Sequence, residues 1–313
     1  MATTNETQEH VLDGPQIKRP RKGHYRQRAH CNPLSDSTLN YPLSPDFVDW
    51  SKHFPSYFEK DILSLELNTS QYPLSYSTTP EHASLNGSDG FSVEFLDVGC
   101  GYGGLLVALS SLYPDVKMIG LEIRDKVSQF LAFFTVFVDT GFSVASSYPC
   151  FIENVTTYVG ERIRALRNEN RHTKGYLNIS VLRTNVMKFL VNYFRKGQLK
   201  KIFFCFPDPH FKKSKWKRRI ISISMLSMYA YTLSPDGLLY AVTDVQDLYE
   251  WIREACIAHP LFEEVTGPAL EEDRCVQVMK IETEEAKKVI RNNQSCYYCV
   301  FRRLSNPPLA EVS

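Results

Sequence analysis

The sequence predicts an α/β protein built on a doubly wound, mostly parallel sheet with an antiparallel strand near its C-terminal end. Three observations carry that prediction. From Val93 to Ala258, short apolar segments of strand length alternate with segments of helical periodicity. The first strand, Val93–Val98, runs into the glycine-rich turn Gly99-Cys-Gly-Tyr-Gly-Gly104 and then into a helix. Lys201–Phe206 is almost wholly apolar, as expected of a strand covered on both faces. A chain of 313 residues, 43% hydrophobic and 12% aromatic, holds enough apolar side chains for one sizeable core.

Residues 1–24 are polar, lack periodicity and read as a disordered basic tail. The run Lys18-Arg-Pro-Arg-Lys22, continued by Arg26, Arg28 and His30, fits a nuclear address, a phosphate-binding arm or plain solvated charge. Residues 25–92 read as an arm and linker, proline-rich from Asn32 to Trp50 and rich in Ser, Thr, Asn and Gly from 66 to 90. Asp49-Trp50 and Phe54–Phe58 are apolar enough to pack this arm onto the domain that spans 93–304, and 305–313 is a tail.

After the glycine turn, Leu105–Leu112 keeps helical spacing up to Pro114, and Lys117–Leu121 is a second strand ending in Glu122. An acidic side chain about twenty residues past such a turn can accept both hydroxyls of a ribose. Ile123–Ser128 begins a helix that Tyr158–Arg167 resumes. Between them, residues 129–157 form an atypical insertion containing the unbroken apolar run Phe130–Val138, too short for a membrane span. Tyr176–Leu182 is a third strand, Val186–Phe194 a helix, Lys201–Phe206 a fourth strand, Ile220–Leu233 a helix, Gly237–Thr243 a strand and Val245–Ala258 a helix. Val276–Ile281 and Cys296–Arg302 are expected to close the sheet as a strand pair around a helix start at Thr283-Glu-Glu285.

The glycines Gly99, Gly101 and Gly104 satisfy a dinucleotide fingerprint as well as a mononucleotide one, so NAD and S-adenosylmethionine both remain open from this motif. Asp97 tilts the choice, because a carboxylate there attracts an ammonium or sulfonium and repels a pyrophosphate. In an open α/β sheet the ligand crevice lies beyond the C-terminal strand ends. Asp208, fixed between Pro207 and Pro209 at the end of the fourth strand, should therefore face the same crevice as Gly99, Glu122 and Asn185. The following residues, His210, Lys212, Lys213, Lys215, Trp216, Lys217, Arg218 and Arg219, hold no acid and read as a phosphate track with a stacking platform.

The net charge of +1 excludes no class of partner. Eight cysteines lack framework spacing, and Cys296-x-x-Cys299 falls in a strand with no further ligands at matching intervals, so neither a disulfide scaffold nor a metal site is expected. No apolar run is long enough to cross a bilayer.

Asp97–Gly104, Leu121-Glu-Ile-Arg124, Arg183-Thr-Asn185, Phe206-Pro-Asp-Pro-His-Phe-Lys212 and Thr283-Glu-Glu285 together resemble the eukaryotic tRNA (guanine-N7)-methyltransferase catalytic subunits, and Arg28-Ala-His with Asn32-Pro33 and Asp49-Trp50 resemble their N-terminal signature. The resemblance implies a Rossmann-like class I methyltransferase fold, S-adenosyl-L-methionine as donor and a guanosine of the tRNA variable loop as acceptor. It also implies a WD-repeat β-propeller subunit and a nuclear location. On it, Asp208 is the catalytic position, and Gly99, Gly101, Glu122, Arg124, Asn185, Val186, Cys205, Thr283 and Glu285 join Asp97 around the donor. The insertion at 129–157 departs from the family pattern and leaves open a non-catalytic RNA-binding or scaffold role.

Overall fold

The computed structural model describes residues 17–25, 32–34, 39–69, 71–78, 90–124 and 155–307. Among the described residues, seven strands form one sheet in the order β3-β2-β1-β4-β5-β7-β6. β1 (Val93–Val98), β2 (Lys117–Glu122), β3 (Ile179–Arg183), β4 (Leu199–Cys205) and β5 (Leu233–Thr243) run parallel. β7 (Tyr297–Arg303) lies antiparallel between β5 and β6 (Phe262–Glu264). The helices are α1 (Gly104–Leu112), α2 (Val155–Glu169), α3 (Val186–Tyr193), α4 (Ile223–Thr232), α5 (Gln246–Ala258), α6 (Pro268–Glu271), α7 (Arg274–Ile281) and α8 (Glu284–Arg291). The strand order reverses between β1 and β4, whose register sets Asp97 beside Phe203 and Val98 beside Phe204. Gly99 and Cys205 consequently leave the sheet side by side, at the switch point where such sheets bind ligands.

Two apolar layers sandwich the sheet. One gathers α3, α4 and α5 with Val48, Trp50 and Phe54 of the arm; the other gathers α1, α2 and α7 with Leu65 and Leu67. The segment expected to be a linker from residue 66 thus contributes core: Leu67 and Leu74 are fully buried, and their polar neighbours Asn68 and Thr69 are buried with them. Two arginines of α2 hold this segment down. Arg164 donates to the carbonyls of Leu63 and Leu65 and to the Tyr72 hydroxyl. Arg167, with no exposed surface, donates to the carbonyls of Ile62, Tyr176 and Ile179 at 2.8, 3.1 and 2.9 Å. Burial pulls its pKa down to about 10, yet it remains a cation at neutral pH.

The chain end corrects a second expectation. Val276–Ile281 is helix, not strand: Asp273 caps α7 by accepting from the Cys275 amide at 2.7 Å, and Cys275, Val276 and Met279 form its buried face. The partner of β7 is instead Phe262–Glu264, too short to show an alternation in sequence. β3 begins at Ile179, because Lys174 and Tyr176 take positive φ in the preceding turn. Residues 17–24, expected to be disordered, are tied to the domain where Arg19 pairs with Glu169 and Lys22 with Glu284 at 2.9 Å, and Tyr25, the first residue of the arm, donates to Glu161. The insertion expected at 129–157 lies outside the described residues except for Val155, Thr156 and Thr157, which are buried in the first turn of α2. Arg26 and Arg28 also lie outside them.

Candidate active site

The C-terminal ends of β1, β2, β3, β4 and β5, with the N-terminal end of α8, enclose a cavity of about 500 Å³. Asp97, Gly99, Gly101, Glu122, Arg124, Asn185, Val186, Cys205, Asp208, Thr283 and Glu285, separated by up to 188 positions in sequence (285 − 97), all line it. The glycines divide two tasks. Gly99, at φ 72°, has open space where a Cβ would stand, so the backbone can touch a ligand there. A Cβ on Gly103 or Gly104 would instead strike Val159 of α2 or the backbone of Glu282, which means these two let neighbouring helices close on the turn.

Asp97 is 2% exposed, and its Oδ1 is buried without a hydrogen-bond partner. Burial first, then the neighbouring Glu122 and Glu284 carboxylates, push its pKa up to about 8. Glu122, also 2% exposed, has hydrogen-bond partners where Asp97 Oδ1 has none. Its carboxylate accepts from the amides of Gly101, Ile123 and Arg124 at 3.1, 2.9 and 2.9 Å and is gripped by the Arg124 guanidinium at 2.8 Å. The pair raises the Arg124 pKa well above the ordinary arginine value.

The remaining sequence-expected residues are brought together with different jobs. Asn185 caps α3 by accepting from the Met187 amide at 3.1 Å, and its amide donates to the Pro33 carbonyl at 2.7 Å, which draws the arm to the cavity rim. Thr283 is spent on capping α8 through the Ala286 amide at 3.0 Å. Glu285 pairs with Lys288 at the exposed edge. The Cys205 thiol, pushed up by burial and then by Asp97, stays protonated and acts as apolar wall. Sequence reasoning missed Glu284, which holds Lys22 and Arg162, and Asp244, which lines the cavity just past β5. The position of Asp244 just after an apolar strand, like that of Asp208, was the available signal.

The Asp208 loop is fixed by unusual backbone. Phe206 and His210 take φ of 52° and 45°, each side of Pro207-Asp-Pro209. The His210 amide donates to Asp208 Oδ1 at 3.2 Å, with the ring Nδ1 3.7 Å from Oδ2. The basic stretch after it separates into two groups. His210 and Arg218 line the cavity, the latter with a buried Nε that has no partner, while Lys212, Lys213 and Lys217 are exposed and Lys215 is half-buried. Trp216 and Arg219 do not form part of an open track, contrary to expectation. The Arg219 guanidinium, in a residue 5% exposed, lies 4.7 Å from both the Trp216 and Trp251 rings, and its Nε donates to the Pro209 carbonyl at 2.9 Å. Stacking energy makes these residues the buttress of the Asp208 loop.

The cavity fits a ligand that carries positive charge and a ribose. A buried carboxyl with one unpartnered oxygen at Asp97, a second carboxylate at Glu122 and a glycine opening are all present, and acidic groups at the glycine turn favour a cationic group over a pyrophosphate. Among the described residues no group of His, Cys, Asp and Glu is placed to hold a metal ion, and no helix is long and apolar enough to cross a membrane.

A family model described as "Putative methyltransferase" matches residues 92–132 and 151–299. The chain is 45% identical over 292 residues to the tRNA (guanine-N(7)-)-methyltransferase of Yarrowia lipolytica, covering 93% of this chain and 80% of that one. It is 44% identical over 303 residues to the Mus musculus protein of the same name, covering 97% and 98%, and 42% identical over 290 residues to that of Caenorhabditis elegans, covering 93% and 91%. The fold, the switch-point cavity and these likenesses agree, and the chain belongs to the tRNA (guanine-N(7)-)-methyltransferase family.

Proposed function

We propose that this chain transfers the methyl group of S-adenosylmethionine to N7 of a guanine in the variable loop of tRNA. The observation that carries the proposal is the opening of the Asp208 loop into the cavity formed by Gly99, Asp97 and Glu122. When bound, the donor supplies an electrophilic methyl on a sulfonium. Asp97 would hold the donor's ammonium, Glu122 its ribose hydroxyls in exchange for part of the Arg124 grip, and Gly99 its close approach to the backbone. Guanine N7 is already a lone-pair nucleophile and loses no proton, so the chain needs no strong base; its work is alignment and charge stabilisation. Asp208, held by two prolines, would accept from N1–H and the exocyclic amine of guanine, which selects that base and supports the positive charge it gains.

The donor-transfer assay decides this reading. Labelled S-adenosylmethionine and undermodified tRNA should give N7-methylguanosine with wild type, and Asp208→Asn should keep donor affinity while losing turnover about a hundredfold or more. Near-normal turnover by Asp208→Asn would refute the role. A scaffold reading rests on one observation, the unmatched residues 133–150 within the family match; normal donor binding with no transfer by wild type would favour it. The family resemblance also supports a nuclear location and a WD-repeat β-propeller subunit. Co-purification of such a subunit with the tagged full chain, and imaging of that chain, test these two parts.

A further inference from the structure

Phe211 stands out from every other apolar side chain of the Asp208 loop. It is 70% exposed, the highest value among the exposed large hydrophobic residues described, and it does not line the cavity that its neighbours Asp208, Pro209 and His210 line. Slack does not explain the exposure. The loop is fixed by two prolines, by positive φ at Phe206 and His210, and by the Arg219 bond to Pro209, so the ring is held out in water by rigid backbone. The other aromatic of the stretch, Trp216, turns inward onto Trp251 at 5.1 Å. Lys212 and Lys213, next in the chain, are exposed cations. Three peptide links separate Phe211 from Asp208, which limits their Cα atoms to about 11 Å apart.

The chemistry supplies a use for such a ring. The acceptor must bring its N1–H and amine edge to Asp208 and its N7 to the donor held over Asp97 and Glu122 in the same cavity, so a base that remains stacked in folded RNA cannot reach it. The base has to leave its stack, and proteins that part stacked bases fill the gap with an apolar side chain. We infer that Phe211 stacks on the base next to the target guanine, occupying the place the guanine vacates, while Lys212 and Lys213 meet the adjoining phosphates. This rests on the tRNA reading above and makes Phe211 a positioning residue for the acceptor. Its rigid base means that little conformational freedom is lost when the ring is clamped between RNA groups.

The test compares wild type, Phe211→Ala and Phe211→Tyr in single-turnover methyl transfer, using the full chain alone and with the proposed propeller subunit. Two substrates are used: undermodified tRNA, and the same tRNA with abasic sites on both sides of the target. Stacking of one base on an aromatic ring corresponds to about a ten- to hundredfold effect. Phe211→Ala should therefore slow transfer to intact tRNA by about that factor, Phe211→Tyr should restore it, and the deficit should vanish on the abasic tRNA, where there is no stack to break. Donor affinity by titration calorimetry should be the same in all three proteins, which separates the effect from misfolding. Equal rates for Phe211→Ala and wild type on intact tRNA, or the same deficit on both RNAs, would overturn the inference while leaving the tRNA reading intact. Failure of wild type to methylate either RNA overturns the tRNA reading and this inference with it.

Discussion

Replacing Asp97 with Asn tests the electrostatics of the donor site directly. With its pKa raised to about 8, Asp97 is about nine-tenths protonated at pH 7 before a ligand binds. An ammonium placed against it draws the carboxyl into its charged form, so binding at pH 7 should release nearly one proton. The deprotonation costs about 1.4 kcal/mol at that pH and nothing well above pH 8. The ligand's own amino group also loses its proton as the pH rises, so absolute affinities mix two ionisations. The ratio of wild-type to Asp97→Asn affinity cancels the ligand's part. Measured with S-adenosylhomocysteine by calorimetry in buffers of different ionisation enthalpy, that ratio should be near one at pH 6 and should rise about tenfold per unit toward pH 8. It should level above pH 8 at about a hundredfold, toward the upper end expected for a charge-assisted hydrogen bond. Stability should move in the other direction. The native state keeps its proton between pH 3.8 and about 8 while the unfolded chain has lost it, so Asp97 makes the protein less stable as pH rises through that window, and Asp97→Asn removes the slope. An affinity ratio independent of pH, with no proton released on binding, would refute this account of the site.

Further outcomes follow from other contacts. Arg219→Met should leave donor affinity unchanged but lower turnover about tenfold or more, because Pro209 loses its donor and the two tryptophans lose the cation between them; Trp251→Ala should behave alike. Arg167→Leu strands the carbonyls of Ile62, Tyr176 and Ile179 in the interior, and a denaturant titration should show a loss of about 3 kcal/mol or more with little change in donor affinity per folded molecule. Replacing Lys212 or Lys213 with Ala should weaken tRNA binding without altering base preference and reduce the salt slope by about 0.7–0.9 for each phosphate that the side chain had neutralised.

The parallel half of the sheet could be read because each strand is apolar, bounded by turn residues and followed by a helix whose periodicity differs from its own. The glycine turn and Asp208 were legible for the same reason: they sit where strands stop, and open sheets collect their ligands there. β6 was not legible, since Phe262–Glu264 carries one buried residue and a three-residue strand shows no period. Val276–Ile281 misled because Val and Ile favour strands, yet the Asp273 cap and the spacing of Cys275, Val276 and Met279 fix a helix. The role of Trp216 depends on Trp251, 35 positions away in the chain (251 − 216), and no local pattern announces that contact. The pairing of Arg124 with Glu122 was equally invisible, because sequence names the charges but not which one holds the other.

The position of β7 has a consequence for how the chain is made. Among the described strands it is the one nearest the C-terminus, yet it lies between β5 and β6 and registers with β5 along Leu238–Thr243. A nascent chain still on the ribosome can pair β1 to β5, but until Tyr297–Arg303 emerges the β5 edge stays open and β6 has no sheet to join. Translation that stops short therefore leaves a sticky, half-built sheet, and a quality-control protease would meet an obvious difference between an aborted product and a finished one.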